Sequence, residues 1–281
     1  MPLDFFSALV LGFVQGVAAW IPVSSKTQVI LFGKFLFGLD FNTAVAFALL
    51  VHAGDLLATL YLFRNEFSGF AKFRPELSEM ANFENVESKK KMLYFALISA
   101  VFSGAIGLPL YLVSRKGLSE LPGTIFLAVV GATLVLLGLF MYLTSKSRAA
   151  AKAKKEVSLV DTALAGTAQG LAVLPGISRS GITESILLLR GYEPKEAVRL
   201  SFFMSVPMVI LAMASFFALE GFSGITATLA TIGIAASFFS SMAMMKFMLK
   251  IAQKAKFYYF NIAIGLLAMT PLAVQLLFGQ F

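Results

Sequence analysis

The chain has 281 residues, of which 58% are hydrophobic and only 14% are charged, with a net charge of +8. Soluble domains carry about 25% charged residues, so this composition excludes a water-soluble globular enzyme, and the lack of Cys excludes a disulfide scaffold. The basic residues lie in short loops between apolar runs. This placement indicates that they set the orientation in the membrane and do not form a nucleic-acid-binding surface. The sequence therefore predicts an all-α integral membrane protein.

Six apolar runs reach the roughly 20 residues that a helix needs to cross a bilayer. In chain order these predicted transmembrane helices are Thr43–Phe63, Met92–Val113, Gly123–Thr144, Leu200–Leu219, Gly224–Met245 and Phe257–Phe278. Glycine-rich stretches such as Gly131–Gly138 predict close helix packing, either within the monomer or across a homodimer.

Two further apolar regions are interrupted by a polar segment that contains proline. The first consists of Phe5–Ile21, the polar segment Pro22–Lys26 and Thr27–Leu39, and the second consists of Leu159–Leu174, the polar segment Pro175–Ser180 and Gly181–Leu189. Irregular backbone at membrane depth is tolerated where it is buried in protein or lines a wet cavity. Each region therefore predicts a re-entrant helical hairpin at a functional site, with a proline-kinked helix as the alternative. The N-terminal region is not expected to be a signal peptide, because it lacks a basic start and a cleavage site of small residues.

The two interrupted regions resemble each other. Gln15-Gly16 recurs as Gln169-Gly170, and Pro22 to Ser24 resembles Pro175 to Ser178. Each half, about 1–144 and 159–281 of a single membrane domain, then holds one hairpin and three spans. Because three is odd, the halves have opposite orientations. This inverted-topology repeat predicts a site near the membrane midplane.

The basic residues predict the orientation in the cell membrane. Of the 23 Lys and Arg residues, 18 fall on the side that receives the Arg64–Lys91 loop. The positive-inside rule places that side in the cytoplasm. Both termini are then expected outside.

The second polar segment predicts an anion site. Arg179 is a permanent cation whose fork matches two phosphate oxygens, and an Arg at membrane depth is expected to be functional. The alternatives are that Arg179 reaches a lipid headgroup or pairs with Glu184. The predicted phosphate-binding residues from the two segments are Ser24, Lys26, Gly176, Ser178, Ser180 and Thr183. Together they suit a phosphate or diphosphate headgroup whose lipid tail stays among the helices.

A family resemblance follows from these motifs. Pro175 to Thr183 reads Pro-Gly-Ile-Ser-Arg-Ser-Gly-Ile-Thr, which resembles the PGxSRSGxT signature of the undecaprenyl-diphosphate phosphatase, or bacitracin-resistance, family. Leu11 to Ser25 and Leu200 to Pro207 resemble other parts of that family. The resemblance implies a membrane enzyme that removes the terminal phosphate from a polyprenyl diphosphate for carrier recycling. It makes Ser25 the nucleophile and Arg179 the phosphate-binding arginine.

The first motif departs from the family pattern. Gln15, Ala19 and Gln28 stand where the family usually has Glu, Glu and His. The family implies a divalent cation, Mg²⁺ or Ca²⁺, and Gln can coordinate such an ion through its carbonyl oxygen. Gln15 is therefore one candidate metal ligand. The other is Asp55, an ionisable residue within a predicted transmembrane helix, where such residues are usually functional.

The missing acid–base groups have possible replacements elsewhere in the sequence. Glu184 lies four residues after Ser180, and His52 and Asp55 lie three apart, so each pair shares a helix face. Glu184 is the candidate catalytic carboxylate, and the three side chains are expected to supply metal ligation or a base for Ser25. The alternatives are that Glu184 only pairs with Arg179 and that Asp55 only pairs with His52.

Three functions fit these features. The first is a phosphatase that acts on a polyprenyl diphosphate lipid. The second is a non-hydrolytic flippase or transporter for a polyprenyl phosphate, which needs the Arg and Ser cage but no acid–base pair. The third is a catalytically silent lipid-binding protein. The expected partners are the polyprenyl lipid and the membrane, not nucleic acid.

Overall fold

The computed structural model describes residues 2–21, 23–67, 74, 76, 78–79, 82–119, 121–147, 156–219, 224–251 and 256–278. Within these ranges the backbone forms helices, turns and short connections, and no β-strand. The predicted all-α class is confirmed.

The described part of the chain contains twelve α-helices, which are numbered here in chain order. They are α1 (Phe5–Ala18), α2 (Ser25–Leu31), α3 (Phe41–Leu50), α4 (His52–Leu62), α5 (Arg64–Phe67), α6 (Ser88–Ser119), α7 (Gly123–Ser147), α8 (Leu159–Leu171), α9 (Arg179–Leu189), α10 (Pro194–Leu219), α11 (Ala227–Ile251) and α12 (Phe257–Phe278). A π-helical segment, Phe32–Leu36, extends α2, and a 3₁₀ turn, Phe83–Asn85, precedes α6.

Six segments of the described chain are long and apolar enough to cross a bilayer, which confirms the six predicted spans. Five of them are the single helices α6, α7, α10, α11 and α12. The span predicted as Thr43–Phe63 is instead two helices, α3 and α4, separated by a turn at Val51. The start of α4 at His52 therefore lies inside a span, which the apolar run did not predict.

The two interrupted regions form two pairs of short helices. α1 has 14 residues and α8 has 13, fewer than a bilayer crossing needs. Between α1 and α2 the backbone of Ser24 is left-handed, with φ of 56°, and between α8 and α9 Gly176 has φ of 87°. That each pair enters and leaves on one side stays a prediction.

Each interrupted region packs against a span from the other half of the chain. α1 lies so close to α11 that a Cβ on Gly12 would be 2.9 Å from the Gly233 Cα. α8 lies about as close to α6, where a Cβ on Gly166 would be 2.8 Å from the Ser99 Cα. The packing is therefore crosswise between the halves, while the inverted repeat itself stays a prediction.

The glycines predicted to allow close helix packing do so within the chain. A Cβ on Gly131 of α7 would lie 2.5 Å from the Gly265 carbonyl oxygen of α12. One on Gly138 would lie 2.7 Å from Cγ1 of Ile262. These contacts bind α7 to α12, and the homodimer stays a prediction.

A buried carboxylate, Asp161, connects the two ends of the second interrupted region. Asp161 of α8 is fully buried and accepts hydrogen bonds from Arg190 Nε at 2.5 Å and from the Tyr192 hydroxyl at 2.7 Å. Burial, followed by the bond to Asp161, raises the pKa of Tyr192, which therefore stays protonated as the donor. This cluster links the start of α8 to the end of α9.

Candidate active site

A cavity of about 610 Å³ lies between the two interrupted regions and the helices α3, α4, α6 and α10. Its polar lining residues include Ser24, Ser25, Lys26, His52, Gln169, Ser178 and Arg179. Its apolar lining residues include Val45, Leu49, Leu108, Met208, Val209, Leu211, Met213 and Phe216. The cavity thus joins a small polar end to a long apolar wall.

The cavity lies toward one end of the helix bundle. It is lined by Phe41 at the start of α3, Phe126 near the start of α7, Ser114 near the end of α6 and Phe216 near the end of α10. These helix ends lie opposite the ends that join the basic loops. The cavity therefore lies away from the predicted cytoplasmic side.

Ser25 is the first residue of α2. The left-handed backbone of Ser24 turns the chain so that the helix starts there, and a left-handed non-glycine residue is a local strain that often marks a functional site. The Ser25 hydroxyl oxygen accepts a hydrogen bond from Gln15 Nε2 at 3.2 Å. Ser25 and Lys26 are both partly exposed, and both line the cavity.

Arg179 is the first residue of α9, which has 11 residues. The Ser178 side chain caps this helix by accepting a hydrogen bond from the Gly181 backbone N–H at 3.3 Å. The guanidinium carbon lies 5.4 Å from the centroid of the Trp20 ring, a cation–π contact. Arg179 is within electrostatic range of Asp55 and Glu184 but forms no ion pair with either. The face of its guanidinium thus packs against Trp20, while its N–H groups form no hydrogen bond with the described residues.

Three hydrogen bonds connect the two interrupted regions at their polar segments. Lys26 Nζ donates to the Val173 carbonyl at 2.8 Å. The Gly176 backbone N–H donates to the Thr27 hydroxyl at 3.2 Å, and the Ser180 hydroxyl donates to the Ile21 carbonyl at 3.3 Å. The structure therefore brings the two segments into one site.

The predicted phosphate-binding residues divide into two groups. Ser24, Lys26 and Ser178 line the cavity. Gly176, Ser180 and Thr183 are buried behind its wall. The Thr183 hydroxyl lies 2.6 Å from the Ser201 hydroxyl, so it links α9 to α10. As phosphate ligands, these last three stay predictions.

The two candidate metal ligands bind each other. Gln15 Nε2 donates to Asp55 Oδ2 at 2.6 Å, and Ser237 and Ser241 of α11 donate to Asp55 Oδ1 at 2.9 and 2.6 Å. Both carboxylate oxygens thus accept hydrogen bonds, Oδ2 from the Gln15 amide nitrogen and Oδ1 from the two serines. No cluster of three His, Cys, Asp or Glu side chains occurs among the described residues. Of these oxygens only Gln15 Oε1, which is buried without a hydrogen-bond partner, is left free to coordinate, and one neutral oxygen does not make a divalent-cation site. The metal stays a prediction.

His52 and Asp55 do not bind each other. His52 Nδ1 lies 2.6 Å from the Ala48 carbonyl oxygen. Because a carbonyl only accepts, Nδ1 carries a hydrogen, and when the ring is neutral its lone pair is on Nε2. His52 also lines the cavity, whereas Asp55 lies behind it.

Glu184 is buried, and its Oε1 has no hydrogen-bond partner. It does not line the cavity, and neither does Ser180, which lies one helical turn before it on the same face of α9. Its predicted catalytic role stays a prediction.

Gln169 and Trp20 were not among the predicted site residues. Gln169 lines the cavity, donates to the Ser103 hydroxyl at 2.9 Å and keeps its own buried Oε1 without a partner. The sequence signal for Gln169 was its correspondence with Gln15 in the two similar regions. The other is Trp20, whose contact with Arg179 joins positions 159 residues apart in the sequence, so no local pattern revealed it.

Comparison with known proteins places the site in context. The sequence profile of the family described as Bacitracin resistance protein BacA matches residues 8–270. A protein of Saccharolobus solfataricus named undecaprenyl-diphosphatase is 39% identical over 207 residues, covering 73% of this chain and 71% of the relative. Relatives of the same name from Methanococcoides burtonii and Pyrobaculum aerophilum are 33% and 32% identical. They cover 95% and 98% of this chain, and 98% and 100% of their own lengths.

Proposed function

Because this chain belongs to the bacitracin resistance protein BacA family, we propose that it is a membrane hydrolase that converts undecaprenyl diphosphate to the monophosphate. The observation that carries this proposal is the composition of one cavity wall. Ser25 and two cations, Lys26 and Arg179, line its polar end, and no carboxylate does so among the described residues. The adjoining apolar wall suits a polyprenyl tail.

The headgroup is bound by charge and orientation. The terminal phosphate lies against Arg179, whose unpaired N–H groups match two phosphate oxygens. Lys26 and the positive end of α9 add to the attraction. These groups stabilise the charge on the transferring phosphoryl group more than in water, because they are fixed in place by the protein and partly shielded from solvent.

Ser25 attacks the terminal phosphorus. A bond forms between its Oγ and phosphorus, the bridging P–O bond breaks, and the polyprenyl monophosphate leaves. The Ser25 proton passes to His52 Nε2, the basic nitrogen of a ring that lines the same cavity. Water then hydrolyses the phosphoserine and releases inorganic phosphate.

The site faces the outer leaflet. Its place at the helix ends opposite the basic loops supports this orientation, because the positive-inside rule assigns the basic loops to the cytoplasm. Substrate whose headgroup lies on the outer surface reaches Arg179 directly, while the tail stays among α3, α6 and α10.

The test is phosphate release by the full-length protein in nanodiscs supplied with undecaprenyl diphosphate. It is run in chelator and with added Mg²⁺ or Ca²⁺, so that a need for metal is seen directly. We expect catalytic release under at least one of these conditions. Tight binding without release under all of them would contradict the proposal and support the carrier or lipid-binding function.

A further inference from the structure

Asp55 does not line the cavity. It is connected to the lining residue Ser25 through Gln15, which donates a hydrogen bond to each of them. Only 1% of its surface is exposed. Its carboxylate accepts three hydrogen bonds, from Gln15 of α1 and from Ser237 and Ser241 of α11. It is also in the first turn of α4, where the helix dipole favours a negative charge. A buried carboxylate is costly without such donors, and here the supporting groups come from three helices.

The helices around Asp55 are in close backbone contact. A Cβ on Gly16 would lie 2.8 Å from the Ser241 backbone nitrogen, and one on Gly54 would lie 2.5 Å from the Ile234 carbonyl oxygen. Glycine at both positions lets α1 and α4 touch the backbone of α11. The positions of the donors relative to Asp55 are therefore set by backbone contact.

Asp55 fixes which way the Gln15 amide points. A carboxylate only accepts hydrogen bonds, so the 2.6 Å contact requires the nitrogen of Gln15 to face Oδ2. The second hydrogen of that nitrogen is donated to Ser25 Oγ at 3.2 Å. Ser25 is therefore an acceptor on this side, and its own hydrogen is available to a base in the cavity.

We infer that Asp55 is a positioning residue for Ser25 and acts through the Gln15 amide. This inference rests on the proposed function, in which Ser25 is the nucleophile. The amide donor holds Oγ in place, stabilises the negative charge that develops on it, and prevents the serine from donating its hydrogen to Gln15. Asp55 itself touches neither phosphate nor metal.

The second interrupted region has a neutral group where the first has this carboxylate. There Gln169 is held by a neutral hydroxyl, Ser103, although α8 packs on α6 about as closely as α1 packs on α11. A charged partner occurs only behind the glutamine that contacts Ser25.

Exchanging the two side chains tests the coupling. In Asp55→Asn, the new amide can keep its oxygen on the two serines only by turning its nitrogen toward Gln15. The Gln15 amide then flips, and Ser25 must donate its hydrogen to it. We expect kcat to fall about 10- to 100-fold, because a hydrogen bond to a charged group is lost, with KM nearly unchanged.

The reciprocal change gives the rescue. Gln15→Glu alone places two carboxylates in contact, and we expect a similar loss, because like charges this close cannot both ionise. When Gln15→Glu is combined with Asp55→Asn, the introduced amide donates to the introduced carboxylate, while the amide oxygen still accepts from both serines. That carboxylate can also take the Ser25 proton. We expect this double variant to be at least about tenfold faster than either single variant. Equal or additive losses in folded protein would overturn the inference.

A second set of variants covers the case in which the exchange does not fold. Gln15→Met removes the relay but leaves Asp55 its two serine donors. If Asp55 acts through Gln15, adding Asp55→Asn to Gln15→Met lowers kcat no further; a full additional loss contradicts the relay. Asp161→Asn is the matched control, because it removes a buried carboxylate outside the cavity. It should lower thermal stability and leave kcat unchanged.

One readout does not depend on hydrolysis of the lipid. A long-chain alkyl fluorophosphonate reacts with an activated serine, forming an Oγ–P bond as fluoride leaves and a base takes the proton. Labelling of Ser25, followed by intact mass, should be about 10- to 100-fold slower in Asp55→Asn than in the wild-type protein. Equal rates, or no labelling of wild-type Ser25, would overturn the inference. Labelling that depends on Asp55 without phosphate release would instead contradict the proposed function alone.

Discussion

The two interrupted regions place different side chains at corresponding positions. In the first, the residue that begins the second helix is Ser25, and in the second it is Arg179. Each stands ten residues after a buried glutamine, Gln15 or Gln169. Behind Gln15 lies the carboxylate of Asp55, whereas behind Gln169 lies the hydroxyl of Ser103. Two similar backbone arrangements thus present a hydroxyl for attack in the first region and a cation for binding in the second.

The difference follows from what each side chain must do. A serine acts through one atom and one proton, so the direction of its hydrogen bonds matters, and a charged partner fixes that direction. An arginine acts through several N–H groups around a plane. It is fixed by stacking, and Trp20 supplies the ring. The predictions below test this division, from the largest expected effect to the smallest.

Among substitutions that leave Ser25 in place, Arg179→Lys should be the most damaging. Lys keeps the charge but loses the planar fork and the stacking on Trp20, so the phosphoryl group is bound by one point charge. We expect kcat/KM to fall about 10²- to 10³-fold, measured as phosphate release from undecaprenyl diphosphate. Lys34→Ala, an exposed cation outside the cavity lining, is the control. A fall of less than threefold would show that Arg179 does not hold the phosphate.

Trp20→Leu should have the next largest effect. A desolvated cation–π contact contributes about 2 kcal/mol, so loss of the ring should lower kcat/KM about 10- to 30-fold. Trp20→Phe keeps an aromatic face and should lose less. Leu174 precedes Arg179 by five residues, as Trp20 precedes Ser25, and Leu174→Ile is the matched control. Equal rates for the Leu and Phe variants would refute the stacking role.

Gln169→Leu should have a smaller effect than the same change at Gln15. It removes a hydrogen bond between neutral groups, which contributes about 1 kcal/mol, so we expect a loss of about fivefold in kcat/KM. Gln15→Leu should cost clearly more, because it disconnects Ser25 from Asp55. Equal losses at the two positions would mean that the carboxylate adds nothing to the first region.

Glu184→Gln should have the smallest effect. Glu184 is within electrostatic range of Arg179 but does not line the cavity, so we expect kcat/KM to change less than about threefold, the scale of a weak charge interaction. The measurement is the same phosphate-release assay. A loss above about 10²-fold would instead make Glu184 a catalytic group, as general acid–base residues contribute on that scale.

Much of the fold could be predicted from the sequence because its signals are local. Apolar runs of about 20 residues gave all six spans, and the prolines and hydroxyl residues around Ser25 and Arg179 marked both breaks. The turn at Val51 was not predicted, because the run Thr43–Phe63 is apolar throughout except near His52 and Asp55. Those two polar residues were the signal for it.

The site could be predicted only in part. Ser25, Lys26, Ser178 and Arg179 follow one another closely in two motifs, and both motifs reach the cavity. The partner of Gln15 is 40 residues away, and the pairing depends on how α1, α4 and α11 pack. Helical spacing correctly put Glu184 beside Ser180, but it could not show that this face turns away from the cavity.

The most direct test of the account is the rate of phosphate release by the Ser25→Ala variant at substrate concentrations that saturate the wild-type protein. Ser145→Ala, in which a hydroxyl bonded to its own helix is removed, is the control and should match the wild type. The account predicts that Ser25→Ala still binds the lipid but releases phosphate at least about 10³-fold more slowly, because the nucleophile is gone. Release by Ser25→Ala at the wild-type rate would contradict it.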